Sequence, residues 1–206
     1  WKVQKEGMFQ SINSSMVDNT VPANLRGPNN EWVGIAKRSR VIYYNPLNVS
    51  EAEMAGLTYE DLSDSKWKGR IAIRSSGNMY NQSLVSSLIA NHGEATIEAW
   101  AKDFVGNFAR KPEGNDRAQI MAVANGEADI AIANSYYIGL MLSGKKGEEQ
   151  QAAARKVQLH FPGQDGRGAH INVSGAGLMK NAPNKSNAVK FIEFLLGEEA
   201  QAHIVN

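Results

Sequence analysis

The chain has 206 residues, with 22 Lys plus Arg against 21 Asp plus Glu and a formal net charge of +1. That balance gives no pull toward nucleic acid or an anionic membrane, and the basic residues are scattered apart from a short run at 37–40. Cysteine is absent, which excludes disulfides and thiolate metal sites, and no apolar run reaches membrane-spanning length.

The length suffices for one domain or two small ones. The chain starts at Trp1 and carries no signal-peptide pattern, so a processed, trimmed or partial product is expected. Residues 1–7 read as a helix tail stopped by Gly7, and 8–30, rich in Ser, Asn, Pro and Gly, reads as loop. Two runs rich in β-branched and aromatic residues follow, from Trp32 and from Arg40, and predict two strands ended by Pro46. Tyr43 and Tyr44 lie inside the second and are expected to face opposite sides.

Residues 49–67 suggest short helices and turns capped by Ser50 and Thr58, and 70–74 a strand. A helix from about Asn78 carries the apolar stripe Leu84, Val85, Leu88 and Ile89 and breaks at His92-Gly93. The next, over 94–108, puts Ile97, Trp100, Ala101, Phe104 and Phe108 on one face. Another begins near Asp116 and stops at Gly126. A strand over 129–133, helices over 137–143 and 146–156, and a strand over 157–161 complete this stretch. After a Gly-rich turn at 163–168, two extended runs precede a last long helix with Ala188, Phe191, Ile192, Leu195 and Leu196 on its buried face. Asn184 or Ser186 could cap it. The alternation predicts an α/β fold with a mainly parallel sheet.

Ligands of such sheets bind beyond the carboxyl ends of the strands. Tyr136 and Tyr137 fall there after Ala133, and Tyr80 falls there after the strand holding Ile73. Three phenol oxygens meeting at one point would hold a hard, highly charged cation such as ferric iron, since hard cations favour oxygen and a bound cation stabilises the phenolate. Adjacent tyrosines can converge only where the backbone leaves strand geometry, and a strand-to-helix turn supplies that. The competing reading is one packed and one exposed ring. The turn at Ser75, Ser76, Gly77 and Asn78 resembles a helix-terminal anion site, and Asn134 and Ser135 could donate near a ligand. His92, His160, His170 and His203 form no zinc-like spacing, and no nucleophile elbow, P-loop or dinucleotide fingerprint is present, so no enzyme is expected. Ser174, in V-S-G-A-G, lacks the elbow pattern.

The segments W-V-G-I-A-K-R-S-R-V-I-Y-Y-N, S-S-G-N-M-Y-N-Q-S, N-G-E-A-D-I-A-I-A-N-S-Y-Y-I-G and H-I-N-V-S-G-A-G-L-M-K-N-A-P-N resemble, in order and spacing, the periplasmic ferric-iron-binding proteins of bacterial ABC transporters. The cyanobacterial branch fits best. The resemblance implies a periplasmic-binding-protein-like (type II) two-lobe α/β fold. It implies a monomer in the periplasm that binds Fe(III) through Tyr80, Tyr136 and Tyr137. A small anion, carbonate or phosphate, could complete the iron shell, with Arg38, Ser76, Asn78 and Asn134 beside it. Delivery would be to an ABC transporter permease in the inner membrane, with no part for nucleic acid. Arg40, by contrast, reads as a surface or hinge salt-bridge residue.

Family members are longer at the amino end, so the chain is expected to be a carboxyl-terminal portion, with the early strands of one lobe and further ligands lying outside it. The expected division is 1–42 in lobe 1 and the hinge, 43–165 in lobe 2, and 166–206 returning to lobe 1 with terminal helices. Crossings are expected near 40–43 and 168–172. The rival class is a binder of a small oxyanion or organic ligand with the same fold.

Overall fold

A computed structural model describes residues 2–205, excluding the side chain of Val205. The chain divides into two compact units. One runs up to Lys37 and resumes at Val173; the other is Arg38–Asn172.

In chain order, α1 (Lys2–Lys5) ends before Gly7, whose φ of +60° suits the residue without a Cβ. The stretch read as loop contains β1 (Phe9–Gln10) and α2 (Ser15–Thr20). Ser14 caps α2 by accepting from the Val17 amide at 3.2 Å, a signal hidden in a Ser- and Asn-rich run. The two predicted strands are one: β2 (Trp32–Tyr44) runs unbroken for 13 residues. After it, α3 (Glu51–Met54) carries a full capping box between Ser50 and Glu53. Then come β3 (Ile71–Ala72), α4 (Met79–His92), α5 (Glu94–Gly106) and α6 (Asp116–Ala124). They are followed by β4 (Ile130–Asn134), α7 (Tyr136–Leu142), α8 (Glu148–Ala154) and β5 (Gln158–His160). The two extended runs near the end are also one strand, β6 (Ile171–Met179), followed by α9 (Lys185–Leu196) and α10 (Glu198–Val205).

In the first unit, β1 pairs antiparallel with β6, placing Phe9 opposite Met179. The small core contains Ile12, Val17, Val33, Leu178 and Ile192. The buried face of α9 differs from expectation. Ala188, Val189, Ile192 and Leu196 pack inward, whereas Phe191 is 59% exposed. Apolar residues cover more than half of this helix's circumference, so periodicity alone does not set which of them face inward.

In the second unit the strand order is β5–β2–β4–β3. The sheet is not mainly parallel. β2 runs antiparallel to both β4 and β5, and among the described strand pairs of this unit β3 and β4 are the parallel one. The parallel pair is the one whose connection holds the crossover helices α4, α5 and α6, as parallel pairing requires. Both faces of the sheet are covered. Ile42, Tyr44, Ile130 and Ile132 pack with Trp67, Leu84, Leu88, Trp100 and Phe104. Val41, Tyr43, Ala131 and Ala133 pack with Ile120, Val123, Met141 and Ala154. Tyr43 and Tyr44 thus bury their rings in different cores, as the period of two predicts.

Candidate functional site

The topology of the second unit brings three chain segments to one sheet edge. Because β3 and β4 are parallel, their carboxyl ends point the same way. The first leads to α4, with Tyr80 in its first turn, and the second leads directly to α7, which starts at Tyr136. Because β2 is antiparallel to β4, it arrives at that edge with its amino-terminal side, pairing Arg40 with Asn134.

The three tyrosines meet there. The rings of Tyr136 and Tyr137 have centroids 4.2 Å apart, tilted by 31°. The helical backbone of α7 permits this where a strand would send the rings to opposite faces. Tyr136 is electrostatically coupled to both Tyr137 and Tyr80, so the three phenols share one neighbourhood. Tyr137 leans on the apolar core under the sheet, while Tyr136 is 41% exposed. The cluster therefore has one supported ring and one open side.

Electrostatics favour protonated phenols in the metal-free site. Tyr80 is raised, first by partial burial and then by Tyr136, with Arg38 pulling the other way. Tyr136 is also raised, first by burial and then by its coupling to Tyr137, while Tyr80 and the Asn134 side chain act in the lowering direction. A cation entering here must displace those protons. Two cations border the rings. The guanidinium carbons of Arg38 and Arg40 each lie 5.8 Å from a ring centroid, Arg38 over Tyr136 and Arg40 over Tyr80.

Of the other expected residues, Asn134 is fully buried beside the cluster. Asn78 is the N-cap of α4, its oxygen accepting from the Tyr80 amide at 3.0 Å. That cap fixes the helical turn that carries Tyr80, and it commits the Asn78 oxygen to the backbone rather than to a ligand. Ser76 is exposed in the preceding turn. Among the described residues, no group of three or more His, Asp or Glu is placed to hold a metal ion, so the phenols are the oxygen cluster this unit offers.

Arg40 is the salt-bridge residue expected, but not at the surface: Arg40 and Asp116 form an ion pair at 2.6 Å with both side chains fully buried. Arg40 also donates to Asn81 Oδ1 at 2.6 Å and Asn134 Oδ1 at 3.2 Å, and Arg74 reaches the other Asp116 oxygen at 3.1 Å. Desolvation lowers the Arg40 pKa, and Asp116 opposes that shift. Strand parity puts Arg40 on the face of Ile42 and Tyr44, but both faces of this sheet are covered, so parity alone did not mark its burial. Tyr43 was missed as support. It shares its hydroxyl proton between the carbonyls of Asn134, at 2.9 Å, and Ser135, at 3.2 Å.

Two open cavities of the second unit lie away from the tyrosines. One of about 320 Å³ lies between α4 and residues 167–171, and one of about 370 Å³ lies beside Arg110 and Arg117.

The sequence profile of the bacterial extracellular solute-binding proteins matches residues 2–206. The chain belongs to this family. Within the family it is 52% identical to iron uptake protein A1 of Synechocystis sp., over 99% of this chain and 56% of that protein. It is 29% identical to the Fe(3+)-binding periplasmic protein of Serratia marcescens, over 97% of this chain and 56% of that one. Among solved structures, the Trichodesmium protein IdiA (FutA) in complex with iron and citrate superposes with a TM-score of 0.93 at 55% identity, covering 98% of this chain and 63% of that one. The fold is thus the periplasmic-binding-protein-like α/β fold. The chain spans little more than half the length of the curated relatives it matches.

Proposed function

We propose that this solute-binding protein takes up ferric iron through Tyr80, Tyr136 and Tyr137 and serves as the binding component of an iron ABC transporter. The observation that carries the reading is the placement of three tyrosines at one sheet edge, with Tyr80 in the first turn of α4 and the Tyr136 and Tyr137 rings 4.2 Å apart at the start of α7. Phenolate oxygens suit a hard trivalent ion, and cysteine is absent. The relatives named for iron uptake or Fe(3+) binding support this reading.

On this reading, Fe(III) displaces the phenol protons, and residues outside 1–206 supply the ligands that close the shell. Arg38 stands beside Tyr136 with its charge available to a small anion, and a relative solved with citrate supports such a co-ligand. The chain works in the periplasm and hands its cargo to an inner-membrane permease. The lobes correspond to 43–165 on one side and to 1–42 with 166–206 on the other.

Ferric–phenolate complexes absorb strongly in the visible, whereas complexes of an oxyanion or organic ligand alone do not. Ferric citrate added to the metal-free chain should therefore produce a visible band with iron retained through desalting. Tyr137→Phe should diminish the band while far-ultraviolet dichroism stays unchanged. A colourless chain that retains no iron would sink the proposal.

A further inference from the structure

Asn81 stands one residue beyond Tyr80 in the first turn of α4 and is buried. Asparagine is a poor helix former, so a buried one inside a helix calls for a use of its side chain. Both ends of the amide are engaged. Nδ2 donates to the carbonyls of Arg74, at 2.8 Å, and Ser75, at 3.2 Å, in the turn that leads from β3 to α4. Oδ1 accepts from Arg40 Nη2 at 2.6 Å. Carbonyls only accept and a guanidinium only donates, so these partners fix the amide in one orientation.

The grip on Arg40 extends to the segment that carries the tyrosine pair. Arg40 Nη1 donates to Asn134 Oδ1 at 3.2 Å, at the end of β4 and two residues before Tyr136. The same nitrogen pairs with Asp116, which also accepts from the Asn134 amide N–H at 2.8 Å and from Arg74 at 3.1 Å. The start of α4 and the end of β4 are therefore tied through one buried planar group, with a different nitrogen serving each. The Arg40 guanidinium carbon also lies 5.8 Å from the Tyr80 ring centroid, so the group that receives Asn81 borders the ring itself. We propose that Asn81 is the positioning residue for Tyr80: by closing the turn before α4 and gripping Arg40, it holds the Tyr80 ring in register with the tyrosine pair that follows β4. Without that tie, the first turn of α4 is free to shift along the sheet edge, and the third phenol no longer shares a centre with the other two. The consequence for cation binding rests on the ferric reading; the ties themselves do not.

The experiment measures ferric affinity against pH, by competition with a chelator, in four full-length chains: wild type, Asn81→Ala, Tyr80→Phe and the double variant. A Tyr80 in place gives up one proton for each ion bound, which adds about one to the slope of the logarithm of affinity against pH. Asn81→Ala should lower affinity by roughly tenfold or more, the scale of coupling between contacting residues, and should remove that unit of slope as Tyr80→Phe does. In the Tyr80→Phe background the same change should cost nothing further. A merely structural role would lower affinity alike in both backgrounds and leave the slope untouched. If Asn81→Ala fails to fold, Arg40→Lys carries the test. An ammonium keeps the charge beside Asp116 but not the fork that also reaches Asn81, so the same unit of slope should be lost. In the metal-free chain, cross-relaxation between the Tyr80 and Tyr136 ring protons should be present in wild type and weaken in either variant. A full slope in a folded variant, or an equal affinity loss with and without Tyr80, overturns the proposal, and so do ring contacts indifferent to both changes. A wild-type chain that binds no iron, but whose ring contacts still depend on Asn81, removes the ferric reading and leaves the positioning role standing.

Discussion

Tyr43 ties the carboxyl end of β2 to the carbonyl of Asn134, at 2.9 Å, two residues before the tyrosine pair. The strand that passes under the site therefore also holds the turn that aims it. Tyr43→Phe keeps the buried ring and removes the shared proton, leaving the Asn134 and Ser135 carbonyls short of a donor. The expected cost is about 1–2 kcal/mol, the usual range for a lost buried hydrogen bond. Urea unfolding of the two proteins measures it, and equal midpoints would show that this bond carries no stability.

The Arg40–Asp116 pair should behave as a unit. Removing one charge from a fully buried pair typically costs about 3–5 kcal/mol, because the other is left uncompensated. In Arg40→Met the remaining Asp116 still has Arg74 at 3.1 Å and the Asn134 amide, so the loss should sit near the lower end of that range. The double variant Arg40→Met with Asp116→Leu should lose less than the sum of the single changes, by about 1–3 kcal/mol, as expected for contacting residues. Denaturant curves for the four proteins give the coupling, and strict additivity would mean that the two charges act independently.

The first unit offers a purely steric test. A Cβ on Gly177 would lie 2.6 Å from the Phe9 ring, closer than side-chain carbons approach without something shifting. Gly177→Ala must push β1 away from β6 or turn the ring, and overpacking of this kind costs about 1–3 kcal/mol. Thermal unfolding should show a lower midpoint. Phe9→Ala combined with Gly177→Ala should recover part of the glycine penalty, and no recovery would place the strain elsewhere.

Strand-and-helix alternation was readable because β4 is a short apolar run, α5 carries a clear apolar period and α6 is stopped by Gly126. The tyrosine placement was readable for the same reason, since strand ends and helix starts were marked in the sequence. Strand direction was not readable. Nothing in β2's composition distinguishes an antiparallel central strand from a parallel one, because both are buried on two faces and read as continuous apolar runs. Nor was Arg40 legible as a buried group. Its enclosure depends on Asp116 and Asn134, 76 and 94 positions away, which only the folded sheet brings together.

Alkaline pH should destabilise the chain through its buried phenols. Burial raises Tyr59 to about 12 and pushes Tyr43 higher still. A phenol with a raised folded pKa contributes stability that is complete below its unfolded value, near ~10, and is lost as pH climbs through the folded value. Urea midpoints should therefore stay level up to about pH 10 with respect to these groups and fall beyond it. Tyr59→Phe should flatten part of that fall, although it also loses the bond to the Arg40 carbonyl at 2.5 Å. His170 acts at the other end of the scale. Burial, then Arg40, lowers its pKa, so its contribution is present above the ordinary imidazole value and is lost on acidification.

Acid should also weaken ferric binding, independently of folding. Tyr80 and Tyr136 both start with raised pKa values, chiefly through burial, so at neutral pH each must release a proton to become a ligand. Each proton released makes the apparent affinity change about tenfold per pH unit. Two such phenols set a slope of about two in the logarithm of affinity against pH, and a third phenol steepens it. Competition against a chelator of known pH dependence, followed by the visible band, measures the slope. In Tyr80→Phe the slope should drop by about one while Tyr136 and Tyr137 still give a band. A wild-type slope near zero would mean that iron binds without displacing phenol protons, and the tyrosine cluster could not then be its site.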